Sequence, residues 1–306
     1  METGSAEIML RGNDLWQLWL TKRKRRIELI NICRPNPLIC RGKRACPWTK
    51  DEEKIRRMVL FWFYFLLVGV ACGATGAVAA QSCRDVDFRD AHYTVCQFDP
   101  AHDTMRIYDR GPDGQPFGGF DSLSRQIWAE RHTLVFASNG GMYHDDLSPV
   151  GLFVEHGIER QPISTSGGWG NFHLLPNGVF FLKDGRAGVL ETQAYLKAKV
   201  APDFATQSGP MLVIDGKVHP RFLPDSDSLK RRNAVGVDAE GQVFFAISQD
   251  AVRFYDFALL FRDALHCANA LYLDGTISSV MIAERNRRDN AFRLGPMIAV
   301  IGNRPD

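Results

Sequence analysis

Apolar positions fall into two regimes along this chain. Residues 59–80 form one long apolar run, opening Val59-Leu60-Phe61-Trp62-Phe63-Tyr64-Phe65-Leu66-Leu67 and fading into Ala77-Val78-Ala79-Ala80. From Gln81 onward the apolar residues come in short bursts separated by turn-forming pairs, the pattern of many short strands. His92–Phe98 and Met105–Tyr108 read as strands split by Asp99-Pro100. Leu134–Ala137 reads as a buried strand running straight into Ser138-Asn139-Gly140-Gly141, while Ala270–Leu273 and Met297–Ile301 supply the closing strands. Asn177-Gly178 carries a hairpin signal, and Asp184-Gly185, Asp215-Gly216 and Glu240-Gly241 mark further turns. Helical spacing occurs in three places. Ser122–Arg131 follows Asp121 as an expected N-cap and puts Leu123, Ile127 and Trp128 on one face. Glu191–Lys199 is the second, and Tyr255–Leu265, with Phe257, Leu260, Phe261 and Ala264 in step, is the third. The prediction is an α+β fold: a single domain over residues 81–306, built on a mixed, largely antiparallel β-sheet with about three helices. No internal repeat divides it, and a domain of this length buries roughly 70% of its unfolded surface.

Charge sharpens the division. The net charge of +2 hides a basic front, because residues 1–80 hold 14 Lys and Arg against 7 Asp and Glu, and the remainder holds 23 against 28. A net-negative domain is a poor general nucleic-acid binder, so no nucleic-acid partner is expected. Lys54, Arg56 and Arg57 precede the apolar run, and small residues close it. Positive flank, apolar centre and small end make the three-part pattern of a secretory signal peptide over residues 58–80, with cleavage after Ala79 or Ala80. The expectation is therefore an exported protein, periplasmic or extracellular. An uncleaved anchor needs roughly 20 apolar residues and is the alternative, which would give the protein its one membrane contact. Residues 1–57, with Cys33, Cys40 and Cys46 at spacings that match no zinc template, form a leader extension to which no function is assigned. In an exported chain Cys83 and Cys96 can close a disulfide loop at the start of the domain, worth about 3 kcal/mol. Cys267, in Ala264-Leu265-His266-Cys267-Ala268, reads as core.

Four segments share one design, an apolar strand delivering small and polar residues into a sharp turn. They are Asn139-Gly140-Gly141-Met142-Tyr143, Gln207-Ser208-Gly209-Pro210-Met211, Arg231-Arg232-Asn233-Ala234-Val235-Gly236 and Leu273-Asp274-Gly275-Thr276-Ile277-Ser278-Ser279. Glycine beside a polar residue lets backbone approach a ligand and offers it N–H donors. Arg232 or Arg231 suits a phosphate or carboxylate. Asp274, between a buried strand and a turn, suits an acid, a base or a metal ligand. There is no Walker loop, paired-histidine zinc motif or Gly-x-Ser-x-Gly elbow, and no cofactor signature is evident; a divalent metal has no ligand pattern behind it. Asp225-Ser226-Asp227-Ser228 lacks the glycine and distal glutamate of a calcium loop and reads as a solvated turn.

In their order, and with Gly170-Asn171-Phe172-His173-Leu174-Leu175-Pro176-Asn177-Gly178 between the first two, these motifs resemble the phosphodiester glycosidase domain family, which includes the lysosomal uncovering enzyme. The nearest likeness is to its bacterial exported branch. The resemblance implies hydrolysis of a sugar-1-phosphodiester in envelope or extracellular glycans. It implies Asp274 and Arg232 as catalytic residues, and Asn139, Gly140, Gly141, Ser208, Gly209, Asn233, Gly275 and Ser278 as substrate contacts. Thr276 and Ile277 depart from the pattern, standing where the uncovering enzyme carries two further glycines, and they are expected to reshape the sugar site. Breaking a glycosyl–phosphate bond builds positive charge on the sugar and leaves negative charge on the phosphate. A guanidinium and turn N–H groups would stabilise the phosphate, and a carboxylate, with Asp274 the leading candidate, would assist water or stabilise the sugar cation. A second carboxyl is open among Asp145, Asp146, Glu155 and Asp250. His144 reads as a surface turn residue and His173 as a partly buried structural one. The alternative function is a non-catalytic envelope module that binds phosphorylated glycans.

Overall fold

Tight turns at positive φ set the course of the chain in the computed structural model, which describes residues 82–304. β1 (Cys83–Phe88) and β2 (Ala91–Phe98) form a hairpin turned at Arg89 and Asp90, followed by β3 (Thr104–Tyr108), α1 (Phe120–Ala129) and β4 (His132–Asn139). Then come β5 (Phe153–Glu155), β6 (Ile158–Gln161), β7 (Gly178–Lys183), β8 (Arg186–Glu191) and α2 (Thr192–Ala198). β9 (Phe204–Ser208), β10 (Met211–Ile214), β11 (Lys217–Val218), β12 (Asn233–Val237) and β13 (Val243–Ser248) lead to α3 (Phe254–Leu259). β14 (Asn269–Asp274), β15 (Val280–Ile282), β16 (Arg287–Arg288) and β17 (Met297–Asn303) close the fold. The apolar run at 59–80 and the extension before it lie outside the described residues. Among those described, no helix is long and apolar enough to cross a membrane.

The strands make three antiparallel sheets: a seven-stranded sheet ordered β1-β2-β13-β12-β14-β10-β11, and five-stranded sheets ordered β16-β15-β4-β17-β3 and β6-β5-β9-β7-β8. Each sheet is apolar on both faces because its strands alternate two apolar sets rather than apolar with polar. In β13, Val243, Phe245 and Ile247 face a core shared by all three sheets, while Phe244 and Ala246 face the other way. Phe136 of β4 packs on Phe98 and Phe245 with ring centroids 5.1 and 4.9 Å away, and Phe180 of β7 lies 6.3 Å from Phe245. These rings come from three different sheets and tie them together. Each outer face takes one helix: Phe257 and Phe261 lie on the seven-stranded sheet, Leu123 and Ile127 on β4 and β17, and Tyr195 against Phe181 on the third. The result is the predicted α+β domain.

Local expectations shift in three places. Gly119, not Asp121, caps α1; Asp121 sits in the first turn and pairs with Arg288. Trp128 leaves the apolar face of that helix, half-exposed under the Arg304 guanidinium, because Leu123 and Ile127 already fill the contact with the sheet. Asn177-Gly178 is no hairpin turn. Asn177 is buried, donating to the Phe172 carbonyl and accepting from Thr192 Oγ1, and Gly178 opens β7 pressed against Met211. Asp184-Gly185 and Asp215-Gly216 do turn hairpins, with both residues of each pair at positive φ. The third helix passes at Leu260–Ala264 into a π-helical turn. Cys83 and Cys96 face each other across β1 and β2 and are joined as a disulfide; Cys267 is buried and free.

Candidate active site

The four turn motifs, far apart in sequence, end on neighbouring strand tips. Asn139 ends β4, Ser208 ends β9, Asn233 opens β12 and Asp274 ends β14. Asn139 is fully buried, and its Oδ1 accepts from Asn233 Nδ2 at 2.9 Å and from the Ser279 amide at 2.7 Å. With the oxygen thus committed, its Nδ2 must face the other way, toward Asp274 Oδ2 and the Ile277 carbonyl, each 3.4 Å distant. Asp274 Oδ1 accepts the Gly275 amide at 2.6 Å. Ser208 Oγ donates to the Leu273 carbonyl at 3.3 Å and Ser278 Oγ to the Asp274 carbonyl at 3.0 Å, so both hold the strand rather than project outward.

Glycine is required where these loops cross. Gly141 has φ of 134° and comes so close to Thr206 that a side chain would collide with Oγ1. Gly275 lies directly over the Tyr272 hydroxyl and has no room for a methyl. Gly140 and Gly209 are likewise enclosed, the first donating to the Pro296 carbonyl and the second joined to Pro210 by a cis peptide. These glycines build the floor from below.

Above that floor opens a cleft of about 360 Å³. Asp274 and the turn Gly275-Thr276-Ile277 form one side, Met142, Tyr143 and Asn171 another, and Lys230 and Tyr272 complete it. Asp274 is its single carboxylate. Burial pushes the Asp274 carboxyl up to about 7, and the Gly275 hydrogen bond pulls only partly against this. Such a group exchanges a proton near neutrality. Tyr143 donates to the Arg293 carbonyl at 2.6 Å, and burial and the nearby Asp274 hold its hydroxyl protonated well above the ordinary phenol range.

Residues 132–301, more than half of the chain, match the family model described as phosphodiester glycosidase. The chain belongs to the phosphodiester glycosidase family. It is 36% identical over 204 residues to YigE, an uncharacterised protein of Escherichia coli strain K12, covering 66% of this chain and 78% of YigE. Its fold is similar to the catalytic domain of zebrafish N-acetylglucosamine-1-phosphodiester alpha-N-acetylglucosaminidase auto-inhibited by its pro-peptide. The TM-score is 0.51 at 15% identity, over 71% of this chain and 81% of that one.

For this phosphodiester glycosidase relative, the expectation that changes most concerns Arg232. Only 1% of it is accessible, and it does not line the cleft. Its Nε donates to the Val252 carbonyl at 2.9 Å, its Nη2 to the Ser228 carbonyl at 3.0 Å, and its guanidinium stacks 3.6 Å from the Phe254 ring centroid. The apolar stretch that follows it pulls Arg232 inward with β12, and the exposed cation of the cleft is instead Lys230, two residues earlier. Lys230 pairs with Val252 through both main-chain hydrogen bonds, so Arg232 positions Lys230 by gripping the same segment. The arginines also explain the turn at 225–228: Ser228 and Ser226 present carbonyls to Arg232 and Arg253.

None of the four candidate second carboxylates lines the cleft. Asp250 pairs with His92 at 2.8 Å, and Asp146 accepts from Ser148 Oγ at 2.6 Å. Asp145 is exposed. Glu155 lines a separate cavity of about 480 Å³ with Asp109, whose carboxyl is pushed up to about 6 by burial. His144 is an exposed turn residue outside the cleft, and half-buried His173 Nδ1 donates to the Ser166 carbonyl at 3.0 Å. Among the described residues no three His, Cys, Asp or Glu side chains group as metal ligands. Tyr143 and Asn171 stand inside the motifs without having been singled out by them; Lys230 carries no sequence signal beyond its neighbour Arg232.

Proposed function

We propose that the domain hydrolyses a sugar-1-phosphodiester, with Asp274 as the base that activates water. The observation that carries this reading is a lone, buried carboxylate poised near neutrality on a Gly turn in a polar cleft. Most glycosidases need a second carboxyl to protonate a poor alkoxide leaving group. A phosphate ester leaves readily as an anion, so one carboxylate suffices here. Water attacks the anomeric carbon as the C1–O bond to phosphate breaks, and Asp274 takes the water proton. The phosphate departs toward Lys230, whose charge offsets the negative charge left on it. Asn139 holds Asp274 Oδ2 from the buried side and so fixes the orientation of the carboxylate.

The test is release of free sugar from UDP-GlcNAc and from a synthetic sugar phosphodiester. Asp274→Asn preserves shape and is expected to lower turnover by about a hundredfold or more. A folded Asp274→Asn protein with full activity overturns the assignment. A wild-type protein that binds these compounds without releasing sugar identifies the binding module instead. Export belongs to the same proposal, and it is supported by the Cys83–Cys96 disulfide, a bond that persists in oxidising compartments.

A further inference from the structure

Trp169 is 98% accessible, the most exposed large apolar side chain among the described residues. A tryptophan commonly buries on the order of 150–250 Å² and contributes strongly to packing. This one packs on nothing, so it adds no burial to the fold. Its setting is specific. Residues 162–170 form neither strand nor helix, and Trp169 stands in the run Gly167-Gly168-Trp169-Gly170 near their end. The base of this segment is tied down, because His173 Nδ1 donates to the Ser166 carbonyl and the His173 ring lies close against Gly168. Gly170 holds φ of 86° with open space around it, which lifts the indole outward between two fixed points. The next residue is Asn171, which lines the cleft of Asp274. Two residues span at most about 7 Å, so the backbone of Trp169 is anchored within that distance of a residue that lines the cleft.

The polar parts of the cleft suit the phosphate and the reacting bond: Asp274, Lys230, Asn171 and the Gly275 turn. Met142, Tyr143, Tyr272 and Ile277 add apolar surface inside the cleft, and the free indole of Trp169 offers a further aromatic face beside it. A pyranose has a face of C–H groups that an aromatic ring covers well, and an indole presents its area at a low cost in side-chain entropy. We propose that Trp169 is the sugar platform of this site, stacking on the C–H face of a pyranose whose anomeric phosphate lies between Asp274 and Lys230. The platform rests on the phosphodiester reading given above.

Its test uses the full chain, with UDP-GlcNAc and a synthetic GlcNAc-1-phosphate methyl diester as probes. Trp169→Ala is expected to raise KM about fivefold to tenfold and leave kcat within about twofold, and Trp169→Phe to recover most of the loss. Addition of either probe to the Asp274→Asn protein should shift indole emission, and the shift should vanish when Trp169→Phe is added. Because Trp169 packs on nothing, its removal should leave the melting temperature unchanged. If Asp274→Asn abolishes turnover while Trp169→Ala leaves KM unchanged, the reaction stands and the platform is overturned. If the wild type releases no sugar but a probe shifts emission through Trp169, hydrolysis is overturned and the platform stands. No KM change and no emission change overturn the platform outright. So does a Trp169→Ala protein altered only in self-association or in binding to lipid vesicles.

Discussion

Single side chains in this domain divide into those that meet the cleft and those that hold it. Asp274 meets it, and its elevated carboxyl sets the pH behaviour. A base must be unprotonated, so kcat/KM is expected to rise about tenfold per pH unit below about 7 and level off above it. A profile falling through the same range would make Asp274 an acid instead. Lys230→Ala is expected to raise KM and weaken inhibition by phosphate, leaving the melting temperature nearly unchanged, since the side chain is exposed. Arg232→Ala should lower the melting temperature, and touch phosphate inhibition only through its lost hold on Lys230. The substitution empties a buried cationic stack and leaves the Ser228 carbonyl without its donor, worth about 1–3 kcal/mol when orphaned, while the Val252 carbonyl keeps only the Lys230 amide. Thermal melts beside phosphate inhibition separate these two outcomes. Asp109 gives a titration of stability. Its folded value of about 6 lies above the ordinary 3.8, so the folded state binds this proton more tightly than the unfolded chain. Stability contributed by this group is present below pH 4 and is lost as pH rises to about 6. Asp109→Asn should therefore raise the melting temperature more at pH 7.5 than at pH 4.5.

Secondary elements show where the chain can be read without its structure. Asp184-Gly185 and Asp215-Gly216 are legible because type and order of residues alone favour a turn at positive φ. Asn177-Gly178 has the same local chemistry and fails. There Asn177 gains two buried hydrogen bonds and Gly178 is claimed by strand pairing on both sides, so tertiary contacts override the local preference. The motif residues were legible as a group, since strand ends with Gly and polar residues recur four times. Their division of labour was not, because burial of Arg232 depends on Phe254 and Val252, far along the chain. The β1–β2 hairpin has its own prediction. Reduction should add two daltons and lower stability by about 3 kcal/mol, and Cys83→Ser with Cys96→Ser should reproduce the loss.

At the scale of the whole molecule the signature is the shared interior. Phe245→Ala removes a ring that touches Phe98, Phe136 and Phe180, and should cost about 3–5 kcal/mol. Export is checked by sequencing the N-terminus of the protein recovered outside the cytoplasm, expected at Ala80 or Gln81; retention in the cytoplasm with residues 59–80 intact would refute it. One further consequence follows from the three sheets. Asn139 belongs to the second sheet, Ser208 to the third, and Asn233 and Asp274 to the first. The proposed hydrolysis would thus be a coincidence detector for the folding of the entire domain. On that reading no sub-domain fragment is expected to be active, and partial denaturation should extinguish turnover at the same urea concentration at which the aromatic interior opens, leaving no half-working intermediate.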